Sequence, residues 1–353
     1  MGSLVRIVTA AAALPLALLT AAPASAGTQI ACGAEVSGRV VLTQDLTCPG
    51  TGLVVTKPGT TVDLNGHTIR LTGEESPQGT YGVQVGYWND ESTATTGVTL
   101  RNGRIEGYDT GVQGIFAERL TVRGLTVQGS ISSYQGADLL VQRSEVTGRV
   151  GLEQHGAAVI EGNRLGGAGG SAIGVVVRDN TVTDGRIRFD ESRDIRITGN
   201  RVTGGPGIEV GSYNDDVLVQ GNHVNAAVHG VSLDGVVLDG IVVRDNRIRN
   251  SRSAGIDASH LQAVEDVLIE GNDVFRSGFR DVADPYYGPS TDGIAVRTSP
   301  DHDVDLSGIV LRGNRVRSSA GHGIYATRVT DGGGNRAQDA RLKPTCVGVA
   351  CGK

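Results

Sequence analysis

The segment Ile195-Arg196-Ile197-Thr198-Gly199-Asn200-Arg201-Val202 is followed by a near copy, Val217-Leu218-Val219-Gln220-Gly221-Asn222-His223-Val224. Both read apolar-x-apolar-x-x-Asn-x-apolar. The pattern recurs as Val175-Val177-Asn180-Val182, Ile241-Val243-Asn246-Ile248, Val267-Ile269-Asn272-Val274 and Ile309-Leu311-Asn314-Val316. A looser copy is Ala158-Ile160-Asn163-Leu165. Successive asparagines lie 17 to 26 residues apart, with one longer step from Asn272 to Asn314. Val and Ile alternate with Arg, Thr, Asp and Glu at period two, the mark of a strand with one face on a core. No helical period appears after the N-terminal segment.

A second element follows each copy: Gly207-Ile208, Gly230-Val231, Gly255-Ile256, Gly293-Ile294 and Gly323-Ile324. Strands this short bury too little alone, so self-similarity at this period predicts coils that stack. Each strand then pairs in parallel with its copy one coil away, at about 4.8 Å. The recurring Asn falls where the chain turns, and its amide is expected to bond the turn backbone and its neighbours in the stack. The expectation is an all-β, single-domain, right-handed parallel β-helix solenoid. Glycine at 53 residues and aromatics at 4% suit tight turns between β-branched strands better than a bulky globular core.

The ends carry different signals. Arg6, the apolar run from Ile7 to Leu19 and Ala24-Ser25-Ala26 read as an export signal over residues 1–26. The mature domain is then 27–353, with caps over 27–60 and 331–353 that close the exposed edges of the stack. Four cysteines form two close pairs, and in an exported chain the expected disulfides are Cys32–Cys48 and Cys346–Cys351. Without Arg6 the charges are 31 basic against 38 acidic, which argues against nucleic acid or an anionic membrane as partner. Only Lys57, Lys343 and Lys353 could serve as a catalytic lysine. A secreted monomer with a carbohydrate partner is the expectation.

Two columns flank the Gly-Ile strand. The residues before each glycine are Pro206, His229, Ala254, Asp292 and His322; those after each Ile or Val are Glu209, Ser232, Asp257, Ala295 and Tyr325. Alternation with buried Ile and Val turns these side chains outward. Stacking should gather His229, Asp257, Asp292, His322 and Tyr325 on one side, with Arg297 nearby and Glu209 farther along. Two stretches, 73–97 and 279–308, break the regular coil and are expected to wall the face. They carry Trp88, a candidate sugar-stacking ring, and Tyr286 and Tyr287. Asp301, Asp303 and Asp305 could offer oxygen ligands to calcium, although a run of acids in a solvated loop needs no metal.

The repeat resembles the parallel β-helix of pectin-acting enzymes and their relatives, a fold shared by lyases, hydrolases, epimerases and non-enzymes. Residues from Cys32 through Asp63-Leu64-Asn65-Gly66-His67-Thr68-Ile69 resemble the first coil of exported bacterial β-helix proteins, with His67 a turn residue. Thr291-Asp292-Gly293-Ile294 resembles the N-T-D-G-I segment of polygalacturonases, with Ser290 in place of Asn. Gly321-His322-Gly323-Ile324 resembles their G-H-G-I segment. The resemblance implies Asp292 as a catalytic carboxylate and His322 as a polar helper. The family's intervening G-D-D coil is missing. Its R-I-K has only Arg341-Leu342-Lys343 as counterpart, beside Cys346. Asp284-Pro285 partly matches the Asp-Pro-His of alginate epimerases, but Tyr286 stands where the His should be.

Three functions fit. Glycoside hydrolysis needs two carboxylates across the bond, and Asp257 with Asp292 are the candidates. Elimination or epimerisation of a uronate needs a base, a cation for the developing enolate and a proton donor. His229 or His322, Arg297, and Tyr286, Tyr287 or Tyr325 could fill these roles. A non-catalytic surface or ligand-binding β-helix, or one transforming a small molecule, is the rival. Hydrolysis of a polysaccharide or oligosaccharide is placed first, with no cofactor beyond the calcium considered above.

Overall fold

The computed structural model describes residues 30–73, 78–88, 94–279, 290–298 and 304–352. Among them every regular element is a strand, and all the paired strands run parallel. The described residues wind through about 13 turns. The expected solenoid is what forms.

In the regular coils three strand columns build the wall. One contains Arg193–Thr198, Asn214–Gln220, Val237–Arg244, Ala263–Glu270 and Ile309–Arg312. The next contains Arg201–Thr203, His223–Asn225, Arg247–Arg249, Asp273–Ser277 and Arg315–Ser319. The third, the Gly-Ile strand, contains Gly207–Val210, Val231–Leu233, Ile256–Leu261, Ile294–Thr298 and Ile324–Ala326. Register keeps like on like: Ile195 lies against Val217, Val217 against Ile241, and Ile241 against Val267. These side chains are buried and form an apolar stack along the interior. Full burial of each Val or Ile stabilises by about 1.5–3 kcal/mol, which offsets the ordering of short strands only because every coil repeats it.

The asparagine ladder explains the turn between the first two columns. Asn222 Nδ2 donates to the Ile197 carbonyl at 2.8 Å and to Asn246 Oδ1 at 3.0 Å. Its Oδ1 accepts from the Asn200 backbone N–H at 2.9 Å. The same arrangement links Asn163 through Asn314 and ends on Asn335, one rung beyond the repeat read from sequence. Each rung satisfies backbone groups that the turn would otherwise bury unpaired.

The Gly-Ile motif has a steric origin. A Cβ on Gly293 would lie 2.1 Å from Val316 Cγ1 and 2.5 Å from the Gly323 carbonyl oxygen. The third column therefore starts on a bare Cα wherever it crosses the second. Both disulfides form as expected, Cys32–Cys48 and Cys346–Cys351, one at each end of the stack. Such bonds persist in oxidising compartments. No helix of the described residues is long and apolar enough to cross a membrane. The export signal at 1–26 lies outside the described residues.

Candidate active site

The third column fixes the register of the candidate face. Glu209 pairs with Ser232, Ser232 with Asp257, Asp257 with Ala295, and Ala295 with Tyr325. The column inferred from sequence is thus a physical row. In the neighbouring row the Gly293 backbone N–H donates to the His322 carbonyl at 3.0 Å, which puts Asp292 and His322 on adjacent coils.

Direction and exposure turn out to be different properties. Asp257 and Asp292 point away from the coil axis, yet Asp292 is only 1% exposed and Asp257 4%. The expectation of exposed carboxylates is corrected here. The backbone of His322 and the side chain of Arg297 cover Asp292, and the side chains of Ser259 and His229 lie against Asp257. Asp292 Oδ1 accepts the backbone N–H of His322 at 2.7 Å. Its Oδ2 pairs with Arg297 Nη2 in a close contact. The carboxylate therefore bridges two coils and uses both oxygens to do so.

His322 is fixed from the other side. Its Nδ1 lies 2.7 Å from the Pro344 carbonyl oxygen, which can only accept, so Nδ1 carries the hydrogen. In the neutral ring Nε2 then holds a free lone pair. The His322 ring lies 5.4 Å from that of Tyr325, and the Arg297 guanidinium carbon lies 4.6 Å from the Tyr325 ring centre. A lone pair, a phenol and a guanidinium thus gather around one half-buried tyrosine. Arg297 Nε is buried with no hydrogen-bond partner, so Asp292 uses only part of its five-donor fork.

A second group lies one coil back. Ser259 Oγ donates to Asp257 Oδ1 in a close contact. His229 Nδ1 is 3.3 Å from Asp257 Oδ2, close enough for charge pairing but not aligned for a hydrogen bond, and it has no other hydrogen-bond partner. The spacing of the Gly-Ile motif gives no signal for Ser259.

The remaining candidates separate from this cluster. Glu209 sits in an ion-pair network, 3.2 Å from Arg186 and 3.5 Å from Arg188, and Arg188 is itself held by Asp190 at 2.7 Å. This network borders a cavity of about 380 Å³ lined by Arg149, Gly167, Gly169, Arg186, Arg188 and Asp190. The glycine run Gly166-Gly167-Ala168-Gly169-Gly170 was its only sequence signal. Trp88 is 48% exposed and packs at 4.9 Å on Tyr134, beside Phe116. Its strand register places it several coils from Asp292, so it does not line the same pocket. Tyr286 and Tyr287 lie outside the described residues, as do Asp301 and Asp303. Asp305 accepts the Ser307 N–H at 2.9 Å, which holds its carboxyl below the usual range.

The family model for the right-handed β-helix region matches residues 110–274. No curated protein sequence matches the chain. Among solved structures, the Dettilon tailspike protein is similar at a TM-score of 0.52 and 16% identity, over 89% of this chain and 60% of the tailspike. The chain thus spans about three fifths of that protein's length. A mannuronan C-5 epimerase module from Azotobacter vinelandii matches at a TM-score of 0.37 and 14% identity, over 91% of this chain and 92% of the module. An endo-xylogalacturonan hydrolase from Aspergillus tubingensis matches at 0.44 and 11% identity, over 86% and 92%. With the repeat, the parallel register and the match to the right-handed β-helix region in agreement, the chain has the right-handed parallel β-helix fold.

Proposed function

We propose that the protein is an exported enzyme acting on a carbohydrate bound along the Gly-Ile face, and that its reaction is proton abstraction from a uronate sugar. The observation that carries this reading is the double use of Asp292, which holds the His322 backbone and the Arg297 side chain in one place. In this scheme His322 Nε2 takes the proton from the carbon beside the sugar carboxylate. Arg297 balances the charge that develops on that carboxylate as the enolate forms. Tyr325 supplies a proton. Delivered to the departing glycosidic oxygen as the C–O bond breaks, it completes an elimination. Delivered to the opposite face of the carbon, it completes an epimerisation.

Hydrolysis by Asp257 and Asp292, placed first on sequence grounds, is here placed second. A general acid must carry a proton and reach the glycosidic oxygen. Asp292 is buried and both its oxygens are engaged, one by a guanidinium and one by a backbone N–H, which leaves neither free to face a glycosidic oxygen. We assign it as a positioning residue. The polygalacturonase-like segments agree with a sugar ligand at this place but do not choose the reaction. The test is a screen over uronate-containing and neutral polysaccharides that follows reducing ends and ultraviolet absorbance together. Elimination raises both, hydrolysis only the first, and epimerisation neither, its product appearing instead in the NMR spectrum.

A further inference from the structure

Beside this site the turn between the second and third columns carries a different chemistry. Arg252, Arg276, Asn250, Ser251, Ala226 and Phe279 line a cavity of about 350 Å³. The Phe279 side chain is exposed, and the Arg341 guanidinium carbon stacks 4.7 Å from its ring centre. Among the described residues, no carboxylate forms an ion pair with Arg252, Arg276 or Arg341, whereas Arg249 and Arg317 are both taken up by Asp273. Ser251 is 3% exposed and its Oγ has no hydrogen-bond partner. Uncommitted guanidiniums thus gather beside an aromatic ring, over an unsatisfied hydroxyl.

The backbone ties this shoulder to the reacting cluster. Phe279 follows Gly278, where an added Cβ would lie 2.3 Å from the Thr291 carbonyl oxygen, and Thr291 precedes Asp292. The Gly278 N–H donates to the Ser253 carbonyl at 2.8 Å. Arg341 precedes Leu342, whose N–H donates to the Gly321 carbonyl at 3.1 Å, one residue before His322.

We propose that Arg252, Arg276, Arg341 and Phe279 form a subsite for an anionic sugar next to the one that reacts, so that the substrate is a chain with charge on successive residues. This rests on the reading of the Asp292 cluster as a glycan site. An aromatic ring covers the apolar face of a pyranose while guanidiniums grip its oxyanion as planar, charge-assisted forks. Carboxylate and sulfate share that chemistry.

The experiment is titration calorimetry with oligogalacturonate, sulfated dextran oligomers and neutral dextran oligomers, on the wild type and on a variant carrying Arg252→Gln, Arg276→Gln and Arg341→Gln. Wild type binds a charged oligomer more tightly than the neutral one. Binding of oligogalacturonate assigns carboxylate, and binding of the sulfated oligomer alone assigns sulfate. The triple variant loses about tenfold or more in affinity, the scale of lost hydrogen bonds to charged groups, and its salt dependence flattens. The single Arg276→Gln, at an exposed position, serves as a second variant if the triple one melts early, and it shows a smaller loss of the same sign. Equal binding of charged and neutral oligomers by wild type, or undiminished binding by both variants, overturns the subsite. The His322→Ala variant separates this result from failure of the reaction scheme, since it is expected to bind as wild type while losing turnover. Full turnover in His322→Ala with arginine-dependent binding would sink the scheme and leave the subsite standing.

Discussion

Asp292 Oδ1 and the backbone N–H of His322, 30 residues apart in sequence, meet at 2.7 Å across two adjacent coils. The same carboxylate grips Arg297 with its other oxygen. One side chain therefore sets the distance between the base and the cation of the site, and this has a cost that can be measured. Asp292→Asn keeps an acceptor for the amide but loses the charge, leaving Arg297 without its partner. Breaking a wholly buried pair costs about 3–5 kcal/mol. Arg297 is partly exposed, so about 1–2 kcal/mol is expected in chemical denaturation. Turnover should fall as well, because both groups it positions are loosened. A variant with wild-type stability and wild-type turnover would show that the bridge is incidental.

His322 offers a cleaner separation of activity from stability. It is only half-buried, and among the described residues its imidazole makes one hydrogen bond, to Pro344. His322→Ala should lower kcat by at least about 10²-fold, the low end for general acid–base groups. Its melting temperature should stay close to that of the wild type. Loss of stability with retained kcat would make the ring a structural plug instead.

The C-terminal disulfide adds a link from cap to site. Cys346–Cys351 closes the segment that begins just after Pro344, the residue that orients His322. Replacing both cysteines by serine should lower kcat more than it lowers the thermal midpoint, because a loop this short restrains the unfolded chain little. Equal activity in the serine variant would show that the cap holds Pro344 without the bond.

The asparagine ladder predicts a stability effect away from the site. Asn246→Ala removes the acceptor for the Asn222 N–H and the donor to the Val219 carbonyl, both buried. Two orphaned backbone groups at about 1–3 kcal/mol each give an expected loss of about 2–6 kcal/mol. Urea unfolding followed by circular dichroism measures it. A loss under about 1 kcal/mol, the worth of one ordinary hydrogen bond, would mean that water replaces the rung.

His155 supplies a pH signature. Its ring is buried, with Nδ1 at 2.8 Å from the Gly156 carbonyl and Nε2 unpartnered. Burial pushes its pKa down, although the Gly156 carbonyl and Asp138 pull the other way. The unfolded ring takes a proton near pH 6.5 while the folded ring resists it. Stability is therefore fully present above that pH and falls as the pH drops toward the folded value. His155→Gln should flatten the slope of melting temperature against pH below about 6.5. An unchanged slope would place the acid sensitivity elsewhere.

These residues also show what the sequence could disclose. The fold was legible because Asn200, Asn222 and Asn246 recur at coil length, and each answers a local need of the turn that a single sequence displays. The row Glu209-Ser232-Asp257-Ala295-Tyr325 was legible because register follows from the same repeat. The burial of Asp292 was not, because its cover is the backbone of His322 and the side chain of Arg297, one of which comes from the next coil. Nor was the cavity at Arg149 and Arg188, where glycines leave the wall bare. The candidate residues at Tyr286 and Tyr287 lie in a long insertion that no repeat governs.

We propose that this site moves a proton from a sugar carbon. This is tested most directly by incubating the protein with oligogalacturonate and oligomannuronate in D2O and following the products by NMR, with His322→Ala in parallel. Either an unsaturated uronate product or deuterium at the carbon beside the carboxylate is expected from the wild type, and neither from the variant. New reducing ends with neither change, formed equally by wild type and His322→Ala, would contradict it.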